Sequence, residues 1–243
     1  MKPFLLLASR AEDAAADDEY AAYLRYGGLE PDQLRRVRVE AGPLPDLDLA
    51  DYSGVIVGGS PFTSSDPNDH KSPTQHRVER ELAGLLDRIV PADFPFLGAC
   101  YGVGTLGTHQ GALIDRTFGE PLGGVEIELT EAGLADPVLQ GMPRRFTAFT
   151  GHKEACTLLP AHAVLLATSA ACPVQMFRIR QNLYATQFHP ELDVDGLVTR
   201  IDIYRHAGYF PPESAEELME SARQFTVTEP TNILKNFVAR YGI

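Results

Sequence analysis

The chain has few cysteines, no excess of positive charge and no long hydrophobic run. Of its 243 residues only Cys100, Cys156 and Cys172 are cysteine, an odd number with no CxxC pair. That argues against a disulfide framework and a zinc knuckle, and it fits a reducing cytoplasm. Acids outnumber bases 33 to 21, for a formal net charge of −12. A chain so negative is repelled by nucleic acid and by anionic membrane surfaces, and no basic stripe offsets the repulsion. The clustered cations, in LRRVRVE and MPRRF, read as strand-edge or surface charges. The N-terminal apolar run, Phe4 to Ala8, is too short for a signal-peptide core and far too short to span a bilayer. Repeats, low-complexity tracts and linkers rich enough to divide the chain are also missing. So are a Walker loop and an SGGxDS-type loop, which excludes a complete nucleotide-using synthetase.

What is present suffices for a core without staples: 44% of the residues are hydrophobic. FLLLAS, YSGVIVGGS and FPFLGA are continuous apolar runs of strand length, as in central strands covered on both faces. DDEYAAYLRYGGL has helical spacing and ends at Gly27-Gly28. SPTQHRVERELAGLLDRIV puts Val78, Leu82, Leu85, Leu86 and Ile89 on one helical face, with Ser72-Pro73 as its start. RRVRVEAG alternates like a half-buried strand. This alternation predicts a doubly wound, flavodoxin-like α/β fold with a mostly parallel sheet, its ligands at the carboxyl ends of the strands. The second half, from GGVEIELT through RFTAFTGHKEACTLL to LYATQFHPEL, is strand-rich. It is expected to add antiparallel strands, with a hairpin around Gln181-Asn182. One domain over residues 1–243 is expected. The polar loop SPFTSSDPNDHKSP leaves a strand end and should overhang the site.

Cys100 stands in GACYG, between a predicted strand and a predicted helix. Elsewhere a lone cysteine is usually a small buried hydrophobe. A strand, a sharp turn with glycines at 98 and 102, and a helix instead make a nucleophile elbow. The helix N-terminus should favour thiolate over thiol, and its amides can receive a developing oxyanion. His189 ends the strand-like run YATQFHPEL, and Glu191 follows Pro190. Both side chains can leave one turn, the carboxylate holding one ring nitrogen and the other facing the sulfur. His152, also at a strand end, is the competing base.

GGS at 58–60, GACYG at 98–102 and QFHPE at 187–191, in this order and these contexts, resemble the class I, triad-type glutamine amidotransferases. TNILKNFVARY resembles the family's closing helix, and FTGHKE its SHxD motif, with Gly151 in the serine position. The resemblance implies that Cys100 attacks the carboxamide of glutamine to form a γ-glutamyl thioester. His189, oriented by Glu191, would protonate the departing ammonia and then activate water. The amides of Gly59 and Tyr101 would form the oxyanion hole; Gly58, Gly104, Gly151 and His152 would line the substrate site. No cofactor and no metal is implied. Ammonia would pass to an acceptor on a separate synthetase subunit, or the enzyme would act alone; a homo-oligomer is left open.

Two departures bear on that picture. The family's glutamine four residues after the cysteine is Gly104 here, which would make room for a bulkier amide and suit a γ-glutamyl-peptide hydrolase. Gln110 cannot replace it, since six helical residues carry it about 240° round and about 9 Å along. Residues 193–228 form a helical insertion, expected to pack against one side of the sheet. A non-catalytic binding or regulatory protein on the same fold is the alternative of another class.

Overall fold

Apolar runs that cannot face water on either side end up in the middle of the sheet. In the computed structural model, which describes residues 1–206 and 210–242, the strands are β1 (Phe4–Ala8), β2 (Leu34–Arg38), β3 (Gly54–Val57), β4 (Phe96–Ala99), β5 (Leu113–Asp115), β6 (Glu120–Leu129), β7 (Arg145–His152), β8 (Ala155–Leu158), β9 (Ala163–Ser169), β10 (Met176–Ile179) and β11 (Leu183–Thr186). The helices are α1 (Asp13–Gly27), α2 (Pro73–Ala92), α3 (Tyr101–Gln110), α4 (Glu131–Leu134), α5 (Val194–Ile203), α6 (Ala215–Arg223) and α7 (Thr231–Tyr241). A nine-stranded sheet runs β2-β1-β3-β4-β11-β10-β9-β6-β7. Its first five strands are parallel, and the rest attach antiparallel.

Period-two alternation divides the core. Phe4, Leu6 and Ala8 of β1 pack with Tyr23 of α1 and Phe237 of α7, while Leu5 and Leu7 pack with Val78 of α2 and Leu106 of α3. The expected face of α2 is buried, and Ser72 caps it by accepting from the Gln75 N–H. Gly28, at φ 63°, closes α1 in the left-handed conformation. The cations of LRRVRVE sit on the edge strand β2 and pair with acids, Arg36 with Asp17 and Arg38 with Glu40. Among the described residues no helix is long and apolar enough to cross a membrane.

Two elements sharpen the sequence reading. RFTAFTGHKEACTLL forms two strands: β7 ends at His152, the strand end expected there, and β8 leaves the large sheet to pair with β5. The break is held by a short turn in which the His152 ring reaches the Glu154 carbonyl at 2.8 Å. Within the insertion the first helix runs from Val194 to Ile203, and residues 207–209 lie outside the described residues. Helices α5 and α6 cover the far end of the sheet through a third core of Phe149, Leu192, Leu197, Ile201 and Met219.

Candidate active site

The chain turns from β4 into α3 at Cys100, whose φ of 52° and ψ of −84° are strained for a residue with a side chain. Its N–H donates to the Thr186 carbonyl of β11 at 2.7 Å, so the turn is tied to the neighbouring strand. Gly98 is required here, because a Cβ on it would lie 2.6 Å from the Gly102 Cα. Gly102 itself faces open space, so the expected clash falls on one glycine of the pair. Cys100 is partly exposed, whereas Cys156 and Cys172 are buried.

Beyond the end of β11, the His189 N–H donates to the Phe149 carbonyl at 3.1 Å, fixing the residue against β7. Its Nδ1 lies 2.8 Å from Glu191 Oε1; a carboxylate only accepts, so Nδ1 carries the proton. Both residues are buried, Glu191 completely. Among the described residues no hydrogen bond engages His189 Nε2 or joins the ring to the Cys100 sulfur. Both residues line one cavity of about 130 Å³, together with Ser60 and Arg10.

The charges behind this pair belong to none of the sequence motifs. Arg200, from α5, donates to Glu191 Oε1 at 2.8 Å, and its other terminal nitrogen lies 3.1 Å from His189 Nδ1. Arg10, just past β1, donates to Glu19 Oε1 of α1 at 2.9 Å, and Arg200 lies 3.7 Å from the same oxygen. Gly58 and Gly59 make room for these groups. A Cβ on Gly58 would sit 2.7 Å from Glu19 Oε2; one on Gly59 would sit 2.5 Å from the His189 ring and 2.7 Å from Arg10. The structure thus sets Gly58 against the buried carboxylate, not in the lining of the cavity. Arg10 had one sequence signal, its place at the carboxyl end of a central strand.

His152 and Gly151 also line the cavity. His152 has both nitrogens engaged: Nδ1 with the Glu154 carbonyl and Nε2 with Glu120 Oε2, each at 2.8 Å. The Glu154 carboxylate turns away and accepts from the N–H groups of Ser64 and Ser65, at 2.9 and 2.6 Å, in the overhanging loop. That corrects the expectation for Gly104. A Cβ there would lie 2.1 Å from Ser64 Oγ and 2.7 Å from Glu154 Oε1, so the supposed room is filled. Gly104 opens instead on a separate cavity with Lys71 and Glu79. Gln110 faces His162, away from the cavity, as the helical geometry requires. Glu120, His152 and Cys172 bring three donor atoms within 4.8 Å of one another, the one such metal-competent group among the described residues. Each of them already has a hydrogen-bond partner.

Burial pushes the Cys100 thiol up to about 12; Arg10 and Arg200 pull it down, Glu154 and Glu191 push it further up. That direction runs against the thiolate expected at the helix N-terminus. Burial holds His189 below the usual imidazole value, helped by Arg200 and Arg10 and opposed by Glu191. Burial would raise Glu191, but His189 and Arg200 outweigh it and hold the carboxyl well below its usual range. Both shifts favour the neutral forms of the thiol and the imidazole.

A family model described as Glutamine amidotransferase class-I matches residues 32–196. A subunit of the glutamine-hydrolyzing GMP synthase from Pyrococcus abyssi is 27% identical over 170 residues, 70% of this chain and 80% of that protein. Gamma-glutamyl peptidase 4 of Arabidopsis thaliana is 26% identical over 254 residues, 98% of this chain and 96% of the other. The crystal structure of a glutamine amidotransferase from Thermotoga maritima shares the fold, with a TM-score of 0.78 at 20% identity, over 99% of this chain and 98% of that one.

Proposed function

The chain belongs to the class I glutamine amidotransferase family, and from that premise we propose that it hydrolyses the side-chain amide of glutamine through a thioester on Cys100. The sulfur attacks the amide carbon while its proton passes to His189 Nε2. The carbonyl oxygen becomes an oxyanion held by the amides of Gly59 and Tyr101, each donor worth on the order of 3 kcal/mol of barrier. His189 then gives its proton to the departing nitrogen and ammonia leaves. Water attacks the thioester, losing a proton to the same ring, and glutamate is released as the thiol re-forms. Glu191 holds Nδ1–H throughout.

The observation that carries this reading is the buried His189–Glu191 pair at 2.8 Å, whose ring opens on the cavity that also holds Cys100. The test is mass spectrometry after incubation with a diazo-ketone analogue of glutamine. A single adduct on Cys100, suppressed by glutamine and absent in Cys100→Ala, is the expected result. Labelling of Cys156 or Cys172 instead removes the reading. The ammonia is proposed to serve an acceptor on a separate protein, since the GMP synthase relative is named as one subunit of its enzyme.

A γ-glutamyl peptidase is the second reading. It draws on the similarity to a γ-glutamyl peptidase along 98% of the chain, which takes in the helical insertion. It also draws on the apolar wall that Leu122, Leu192, Leu197 and Phe210 give the cavity. Release of glutamate from a γ-glutamyl dipeptide with an apolar second residue, compared with glutamine, decides between them. A kcat/KM for the dipeptide about tenfold higher puts this reading first, a difference of about 1.4 kcal/mol in barrier.

A further inference from the structure

The insertion does more than cover the sheet. Its helix α5 carries Arg200 into the interior, where the residue is 6% exposed and meets both members of the His189–Glu191 pair. We propose that Arg200 is a positioning residue for His189 and Glu191, clamping the carboxylate and keeping the imidazole neutral with its proton on Nδ1. The proposal rests on the hydrolytic reading of the site only for its kinetic consequence, not for its structural one.

The distances favour one arrangement of hydrogens. Nδ1 of His189 meets a carboxylate, which only accepts, at 2.8 Å and a guanidinium, which only donates, at 3.1 Å; the shorter contact puts the proton on Nδ1. Oε1 of Glu191 then accepts from Nδ1–H and from Arg200 at once, both at 2.8 Å. A carboxylate shared in this way pulls less strongly on the ring proton, and a guanidinium beside the ring opposes a second positive charge there. Nε2 is left bare toward the cavity, the state a proton acceptor needs.

The other charges around the ring act in the same frame. Arg10 reaches it from the loop after β1, past Gly59, and its charge is balanced by Glu19 of α1. Cys100 at the start of α3 shares the cavity. Asp18 and Tyr23 of α1 act on Arg200 and Glu191 from behind, and Tyr204, just past α5, accepts from Arg10. Arg200 is the only cation among these that contacts Glu191, so its loss is not made good by a neighbour. Arg10, Glu19 and Arg200 all lie outside the residues 32–196 that the family model matches.

The experiment is a histidine-ring NMR titration of the full chain, with the His189 signals assigned by their absence in His189→Asn. Wild type is expected to show His189 with its proton on Nδ1 and a midpoint below the ordinary imidazole value. In Arg200→Met the midpoint should rise by about one pH unit. Arg200→Lys keeps the charge but cannot face Nδ1 and Oε1 together, so it should rise by less. Should Arg200→Met fail to fold, Arg200→Lys carries the test alone. A proton on Nε2 in wild type, or a midpoint unmoved in the folded variants, overturns the proposal. In turnover, the acid limb of kcat/KM should move up with the midpoint. A chain that hydrolyses neither glutamine nor the dipeptide ends the hydrolytic reading and leaves the NMR result to judge Arg200 by itself.

Discussion

Two histidines open on the same cavity, and each has a glutamate two residues further on. In HPE the carboxylate of Glu191 meets its own histidine. In HKE the Glu154 carboxylate swings out to Ser64 and Ser65, only its carbonyl meets His152, and the remote Glu120 takes the other nitrogen. One ring keeps a nitrogen free; the other has both in use. Spacing therefore does not tell a ring with a free nitrogen from one with both nitrogens engaged. What tells them apart is where the carboxylate finds donors, and that depends on segments distant in sequence. The Glu120 site is a polar cluster further held by Gln175 at 2.6 Å and Ser169 at 3.2 Å. The Glu191 site is open on one side.

The sharpest way to break this contrast is to exchange each ring for an amide. His189→Asn should lower the rate of glutamate release on the order of 10⁴-fold. His152→Asn loses hydrogen bonds but no proton carrier, so its loss should stay within about tenfold, mainly in KM. Equal losses in steady-state kinetics would erase the distinction. The carboxylates extend it. Glu191→Gln should cost on the order of 10²- to 10⁴-fold in kcat, since the amide holds the ring less well and in the wrong charge state. Glu154→Gln should leave kcat near wild type and raise KM a few-fold, because the loop it anchors borders Cys100.

How much of this is legible without coordinates follows from the same contrast. Elements of one apolar period, such as β1, α2 and β4, are written locally, and so is the elbow at Cys100. The HPE pair is legible because Pro190 confines both side chains to one turn. Arg10, Glu19 and Arg200 are not, since they meet only when β1, α1 and α5 pack together, and no spacing links residue 10 to residue 200. The supposed space at Gly104 misleads for a like reason. Its occupant, Ser64, arrives from a loop that leaves the end of β3, another strand of the sheet. The burial that pushes the Cys100 thiol up is not legible either, whereas the helix N-terminus beside it is.

A smaller effect at the His189 site shows in its response to pH. His189 titrates below its ordinary value of about 6.5, so in acid the unfolded chain takes up a proton there that the folded chain refuses. Stability is full above about pH 6.5 and falls below it, by at most about 1.4 kcal/mol per pH unit until the folded-state value is reached. Glu191 is also held low, so its contribution is present above its unfolded value and lost only at more acid pH. Denaturant unfolding at about pH 7.5 and about pH 5.5, on either side of the unfolded imidazole value, should show the decrease in wild type and a shallower one in His189→Asn. A wild-type stability that rises on acidification would contradict the assignment of a buried, neutral His189.

The smallest effect concerns the loop that Glu154 holds. At an open helix position, glycine to alanine stabilises by up to about 1 kcal/mol. Gly104 is a helix position whose added Cβ would lie 2.1 Å from Ser64 Oγ and 3.1 Å from its Cβ. Ser64 cannot step aside freely, because its hydroxyl and its N–H both donate to Glu154, at 2.6 and 2.9 Å. Overpacking of this kind costs about 1–3 kcal/mol, more than the helix gains, so Gly104→Ala should lower Tm. Ser64→Gly removes the atoms in the way, and added to Gly104→Ala it should recover part of the loss, a coupling that a double-mutant cycle reads directly. Gly104→Gln should be worse than alanine, and it should not tighten glutamine binding, since its amide would enter a space held by Ser64 and Glu154. A Tm that rises in Gly104→Ala, with no coupling to Ser64, would mean that the loop yields. In that event Glu154 anchors nothing, and the difference between the two histidine sites would have to rest on Glu120 alone.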